Sequence, residues 1–501
     1  MNLKPIRVIA WLVGALLVMA AATSGFDFSE LEEAVSEYQL DNGLKILVLE
    51  RHDAPVASFV TLANVGAAND PKEYTGMAHM FEHMAFKGTT TLGTSDIKKE
   101  LAAMKVEDSV WYELRAERQK GQFADSTRLA ELETAFEETL ETANEYVVAG
   151  EYDRLMEVQG AVNTNAGTGS DQTQYIMSLP SNKLELFMAT ESERFLNPVL
   201  REMYQERNVI AEERRQGLEN NPINRTLWLL MSTAFEAHPY RIPIVGHMSD
   251  IQNYTRDAAK AYYKKYYVPS NMIVAIVGDV DPEEVFKQAK KYWGRIPASP
   301  RPPELATVEP EQEGERRVEL EDRAQPLFVA AWHVPQETHP DWPAVEALAD
   351  YLGQGRTSLL YKNLVKEKKI AAQSGSFAGW PGNKYPCLMI VYAVSSPGHT
   401  NEEGEEQIFA EVEKLKAELI PADEVDKIKA RAKANLINGL SSNLGLAIAL
   451  AGYENQWGDW RQLFLQLDRI NALTPEDLQR AAQKYLTKQN RTVAKLNTIE
   501  G

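Results

Sequence analysis

The sequence predicts an α+β protein made of two homologous α/β-sandwich domains, each an antiparallel sheet packed with helices. Three observations carry this. At 501 residues the chain exceeds what one core holds, so two or three domains are expected. Short runs rich in β-branched residues alternate with longer segments of helical spacing. A pattern also repeats: Thr255, Tyr266, Asn271 and Ala275 match Thr474, Tyr485, Asn490 and Ala494, every pair offset by 219 positions. Each copy describes a Thr-capped helix that ends at a Tyr-containing turn and leads into a strand, at 272–277 and 492–496. Between the copies, Ala298-Ser299-Pro300-Arg301-Pro302-Pro303 and the acidic stretch from Glu309 to Glu315 read as a linker. The expected division is a leader over 1–25, a first domain over 30–296, a linker over 297–318 and a second domain over 319–501.

Taken in order, Lys4 and Arg7 precede an apolar run from Val8 to Ala22, which ends in the small residues Ala21-Ala22-Thr23-Ser24-Gly25. That is the layout of a secretory signal peptide, and the run is shorter than the roughly 20 residues of a membrane-spanning helix. A cleaved signal and a periplasmic protein are expected, with an inner-membrane anchor as the alternative; no cysteine near the run allows lipoprotein attachment. Residues 37–49 read as two strands around the turn-forming pair Asn42-Gly43, and Val56 to Val65 as a third strand. A helix is expected from near Thr75 and another near Ser95-Asp96-Ile97. From about Asp108 to Met156 the composition turns to Glu, Ala, Leu, Lys and Arg, with Leu129, Leu132, Phe136 and Leu140 at helical spacing and a break at 121–125. This predicts a hairpin of two long helices. Asn163 to Thr168 reads as a turn before a strand carrying Thr173 and Tyr175, and 182–219 reads as helical.

Composition narrows the partners. Net charge is −19, and such a surface repels phosphate backbones, so nucleic acid is excluded as a natural partner. Cys387 is the single cysteine, which rules out an intrachain disulfide and a thiolate metal cluster.

The chemistry lies in His79-Met80-Phe81-Glu82-His83, an H-x-x-E-H. On a helix His79 and His83 sit one turn apart on one face, where two imidazoles can share a metal ion, and Glu82 beside them can take a proton from a metal-activated water. A zinc hydrolase needs a third protein ligand from elsewhere. Glu206 and Glu213, seven residues apart on one predicted helix, could serve as supporting and ligating carboxylates, although without further information a solvated helix face explains such a pair better. His238, in His238-Pro239-Tyr240, reads as structural.

The stretch Gly76 to Thr89, Gly-Met-Ala-His-Met-Phe-Glu-His-Met-Ala-Phe-Lys-Gly-Thr, closely resembles the inverted-zincin peptidases of the pitrilysin and insulysin family, in particular the short-chain branch that includes mitochondrial processing peptidase. Asn165-Ala166, Thr173-x-Tyr175 and the Glu206-Arg207 stretch extend the likeness over most of residues 30–500. The resemblance implies a zinc metalloendopeptidase with one Zn²⁺ per chain, held by His79, His83 and Glu213, with Glu206 in support and Glu82 as general base. It also implies a chain that forms half of a clam-shell chamber, with the Asn165-Ala166 strand as an edge to which an extended peptide substrate adds.

Two departures stand out. His83 and Glu213 are 130 positions apart, far more than the family usually has, and the extra length is the helical segment at 108–156, expected to pack on the outside as an insertion. The family also carries an Arg and a Tyr in its other half that steady the developing oxyanion. Here Lys366 stands where the Arg is expected, and Ala372 or Gln373 where the Tyr is expected, downstream of Gly353-x-Gly355-Arg356. A heterodimer with a homologous subunit that supplies the pair is therefore expected. The alternative is a non-catalytic assembly subunit, against which the intact H-x-x-E-H argues.

Overall fold

Two mixed sheets carry the chain in the computed structural model, which describes residues 28–499; the predicted leader lies outside the described residues. The first sheet holds β1 (Val35–Gln39), β2 (Lys45–Glu50), β3 (Val56–Ala63), β4 (Val162–Thr168), β5 (Thr173–Pro180) and β6 (Met272–Gly278), in the order β1-β2-β6-β3-β5-β4. The second holds β7 (Arg316–Asp322), β8 (Leu327–Val334), β9 (Ala371–Trp380), β10 (Cys387–Ser395) and β11 (Arg491–Thr498), in the order β7-β11-β8-β10-β9. The orders superpose: β6 lies parallel to β2 and antiparallel to β3, as β11 lies parallel to β7 and antiparallel to β8. These parallel pairs are the one departure from the all-antiparallel sheets predicted, because a strand entering from a helix at each end of the repeat must run that way.

The repeat has a physical basis. The Thr255 and Thr474 side chains cap the helices Arg256–Tyr266 and Pro475–Tyr485. Just beyond each helix, the amide of Asn271 donates to the Tyr266 carbonyl at 2.9 Å and to that of Asn64, and the amide of Asn490 donates to the Tyr485 carbonyl at 2.8 Å and to that of His333. One asparagine thus satisfies a helix end and tethers it to the neighbouring strand in both copies.

The first hairpin forms as expected, with Gly43 at φ +93° in the turn. Residues 163–168 do not form the predicted turn. They belong to β4, the edge strand beside β5, where Asn165 opposes Ile176 and Ala166 opposes Tyr175; Asn163 (φ +57°) absorbs an irregularity, and the reversal falls at Gly169–Gln172. Pairing with β5 overrides the turn preference of Asn and Gly. The predicted linker is likewise shorter at its far end, since β7 begins at Arg316, and it is pinned rather than loose: Glu304 binds Lys384, and Glu309 accepts from the backbone of Glu236, Ala237 and His238.

Packing crosses that linker in both directions. The helix Pro222–Ala234 buries Leu230, Met231 and Ala234 in the core around the second sheet, while Asn443–Trp457 buries Leu446, Leu450 and Ala451 against Leu47, Val60 and Ala275 of the first. Each sheet thus receives a helix from the other half of the chain.

The helical segment resolves into two long helices, Ile97–Gln119 and Ser126–Asn144, capped by the side chains of Asp96 and Asp125, with a separate short helix at Glu151–Val158. The hairpin therefore begins before residue 108 and closes before 156. Its apolar stripe, Trp111, Leu114, Leu132 and Phe136, packs on Tyr204. Buried ion pairs fasten it: Arg201 to Glu100 at 2.7 Å, and Arg256 to Glu107 at 2.8 Å and to Asp108. Among the described residues no single helix is long and apolar enough to cross a membrane.

Candidate metal centre

His79, Glu82 and His83 lie on the motif helix, Met77–Met84, whose inward residues Met77, Met80, Phe81 and Met84 are buried. Its start is fixed by Asp70, whose carboxylate accepts from the backbone N–H of Gly76 at 2.7 Å and of Ala78 at 2.9 Å. Burial pushes that carboxyl up to about 7 against the pull of these N–H groups. Gly76 has φ +87°, and a Cβ there would sit 2.5 Å from the Val245 carbonyl oxygen, so this close approach requires glycine.

A second helix, Met203–Arg214, lies across the motif helix and brings two glutamates to it. Glu206 and Glu213 are two turns apart on one face. Glu213 Oε2 lies 3.7 Å from His79 Nε2 and 3.6 Å from His83 Nε2, and the three donor atoms all fall within 4.8 Å of one another. Glu206 Oε2 sits 3.1 Å from His83 Nδ1, while its Oε1 takes Lys87 Nζ at 2.5 Å. Glu212, next to Glu213, turns outward to Arg215 and Gln216.

The electrostatics separate the two histidines. Burial, aided by the charge of His83, lowers His79 to about 4 despite Glu213, so its imidazole is neutral. Its Nδ1 is buried without a partner. Burial also acts to lower His83, but its hydrogen bond to Glu206 and the charges of Glu213, Glu206 and Glu82 outweigh it and hold His83 above its ordinary value. Glu206 is held below the usual range: burial would raise it, and the bonds to His83 and Lys87 prevail. The half-buried Glu82 carboxylate makes no hydrogen bond or ion pair within the described residues.

Asn165 is exposed and Ala166 half-buried on β4, which packs beside the motif helix and is the edge strand of its sheet among the described residues. In the second half, Lys366, Ala372 and Gln373 are exposed, the last two on β9, the edge strand equivalent to β4. There the helix equivalent to the motif helix, Trp342–Gly353, is joined to Ala422–Gly439 by Asp350 and Arg431, whose Nη2 and Nε lie 2.9 and 3.1 Å from Oδ2. An ion pair thus stands where the first half gathers its His and Glu donors.

Sequence reasoning missed Lys87, Glu202 and Asp70. Lys87 lies in the turn just beyond the motif helix, four residues after His83, and also meets Glu202 at 3.3 Å. Asp70 had only the common signal of an acid ahead of a helix. The structure also qualifies the reading of the insertion: it packs on the outside, but directly against the helix that carries Glu206 and Glu213.

A sequence profile described as Insulinase (Peptidase family M16) matches residues 45–111 and 140–247, skipping most of the hairpin, and one described as Peptidase M16 inactive domain matches 253–432. The chain is 30% identical over 487 residues to the zinc protease PqqE of Helicobacter pylori, covering 94% of each. It is 23% identical over 475 residues to a probable mitochondrial-processing peptidase subunit beta of Arabidopsis thaliana, covering 92% of this chain and 78% of that one. Among solved structures, that of a protease from Helicobacter pylori superposes with a TM-score of 0.77 at 28% identity, covering 92% of this chain and 99% of the other.

Proposed function

Because this chain belongs to the insulinase family of peptidases, family M16, we propose that it is a zinc-dependent endopeptidase acting on extended peptides or unfolded proteins. The observation that carries this is the convergence of His79, His83 and Glu213 on one point. Donors bound tetrahedrally to Zn²⁺ at about 2.0–2.1 Å lie about 3.4 Å apart, close to the 3.6 and 3.7 Å found. Two imidazoles and a carboxylate also suit zinc chemically.

In this reading His79 Nε2, His83 Nε2 and Glu213 hold the ion. When bound, Zn²⁺ supplies Lewis acidity toward a peptide carbonyl and acidifies water. Glu206 accepts from His83 Nδ1–H, which leaves Nε2 free as a ligand, and Lys87 keeps Glu206 charged and in place. Glu82, free of protein partners, takes the proton of the attacking water and returns it to the leaving amine. The outer edge of β4 at Asn165 and Ala166 receives the substrate backbone as an added strand, which selects extended chains.

Partner and location belong to the same proposal. Lys366, Ala372 and Gln373 lack the guanidinium and phenol needed to steady an oxyanion, so a homologous subunit completes the site in a heterodimer. The leader-like sequence at 1–25 supports export to the periplasm, with retention at the inner membrane as the alternative. The reading as a non-catalytic assembly subunit has in its favour the inactive-domain profile, which falls at 253–432, away from the motif.

The test measures bound zinc and peptide cleavage for the wild type and Glu82→Gln, alone and with a homologous subunit. Zinc retained with cleavage lost in the variant is expected, with full activity only in the pair. No zinc in the wild type refutes the reading; full cleavage by the single chain refutes the need for a partner.

A further inference from the structure

A cavity of about 740 Å³ opens between the helical hairpin and the helix Met203–Arg214, away from the metal centre. Arg207 follows Glu206 on that helix, and a turn of about 100° per residue points it away from the motif helix toward the hairpin. The residue is 6% exposed and its guanidinium sits over Trp111, with Cζ 4.1 Å from the ring centre. Among the described residues its side chain makes one hydrogen bond, a 3.3 Å contact from Nη2 to the Asn208 side chain; Nη1 has none, and no carboxylate comes within ion-pair reach.

Glu107 acts on Arg207 from beyond ion-pair distance and is itself paired with Arg256, so the buried guanidinium has no carboxylate of its own and lies beside an empty volume of ligand size. Arg115, on the hairpin side of the cavity, also has no ion pair among the described residues and makes a 3.4 Å bond to Asn253. Arg118 is already committed to Glu133 at 2.8 Å. Phe136 and Leu140 supply an apolar wall.

We propose that this cavity is a binding site for a small organic monocarboxylate with an apolar body, its carboxylate taken by Arg207 and Arg115 and its body lying on Phe136 and Leu140. The planar guanidinium fork matches a carboxylate in two-point contact. Glu133, paired with Arg118, and Glu137 also line the cavity and oppose any anion, a dianion such as phosphate about twice as strongly as a monocarboxylate, which also gains from the apolar wall. The site is independent of the peptidase reading, since no residue in it touches the metal centre's donors.

The test is calorimetric titration of the full chain, both zinc-loaded and zinc-stripped, with N-acetyl-leucine, its uncharged amide and inorganic phosphate. One site per chain for the acid is expected, equal in both metal states, with amide and phosphate weaker by about tenfold or more. Arg207→Met is expected to weaken the acid by about tenfold or more. Because Arg207→Met removes a packed side chain, Leu140→Trp serves as the second variant: Leu140 is half-buried on the apolar wall, and the larger ring takes the place on that wall where the ligand's body would lie, without altering the arginines. Absence of saturable acid binding, equal binding of the amide or phosphate, or binding unchanged in Leu140→Trp overturns the proposal.

Discussion

Replacing Glu206 by Gln tests how the metal centre is held. The carboxylate joins two groups at once, His83 Nδ1 at 3.1 Å and Lys87 Nζ at 2.5 Å, and is itself only 15% exposed. Glutamine is isosteric and keeps an oxygen that can accept from His83, but it loses the charge that raises the basicity of the imidazole and pairs with Lys87. Lys87 then remains half-buried, with Glu202 at 3.3 Å as its remaining carboxylate. Outer-shell partners of a metal-bound histidine are worth about 10–100-fold in metal affinity, which is about 1.4–2.7 kcal/mol. The expected result is a zinc dissociation constant raised by that factor, with one ion per chain still bound at saturation, read by competition with a chromophoric chelator. Glu213→Gln is expected to lose more, because it removes a donor charge directly. An affinity for Glu206→Gln within about twofold of the wild type would refute the assignment of Glu206 as the group that orients His83.

Three further outcomes follow from the packing. Arg256→Met leaves Glu107, 2% exposed, without its 2.8 Å partner, and breaking a buried pair from one side costs about 3–5 kcal/mol; denaturant unfolding and proteolysis within the hairpin read the loss. Gly76→Ala forces a side chain into φ +87° against the Val245 carbonyl, a strain of about 1–3 kcal/mol or more, and is expected to lower both the melting temperature and zinc occupancy. Asp341 is subject to burial that would raise its pKa, but bonds from Lys484, Tyr485 and Arg480 depress it far below the usual range. The stability it contributes is present above the unfolded carboxylate value near 4 and is lost as pH falls below it; Asp341→Asn is expected to flatten the fall in stability between about pH 4 and 2.

Several features were legible because they depend on local spacing. The i, i+4 histidines, the Thr caps and the Asn42-Gly43 turn are each decided within a dozen residues. The resemblance supplied the roles of Glu206 and Glu213, which spacing alone could not separate from a solvated helix face. What was misread depends on distant partners. Asn163 to Thr168 has the composition of a turn and becomes β4 only because β5 offers it a ladder. The hairpin appeared as an appendage at 108–156, yet Trp111, Glu107 and Asp108 attach it to the helix of Glu206 and Glu213 and to Arg256.

The sequence by itself determined the donors and one half of their arrangement, because a helix places residues four apart on a single face whatever surrounds it. Only the tertiary structure decided that Glu213 meets His79 and His83, that Lys87 backs Glu206, and that each sheet is covered by a helix from the other half. Those contacts join positions up to several hundred residues apart, and they are selected by which apolar faces bury one another rather than by any local pattern.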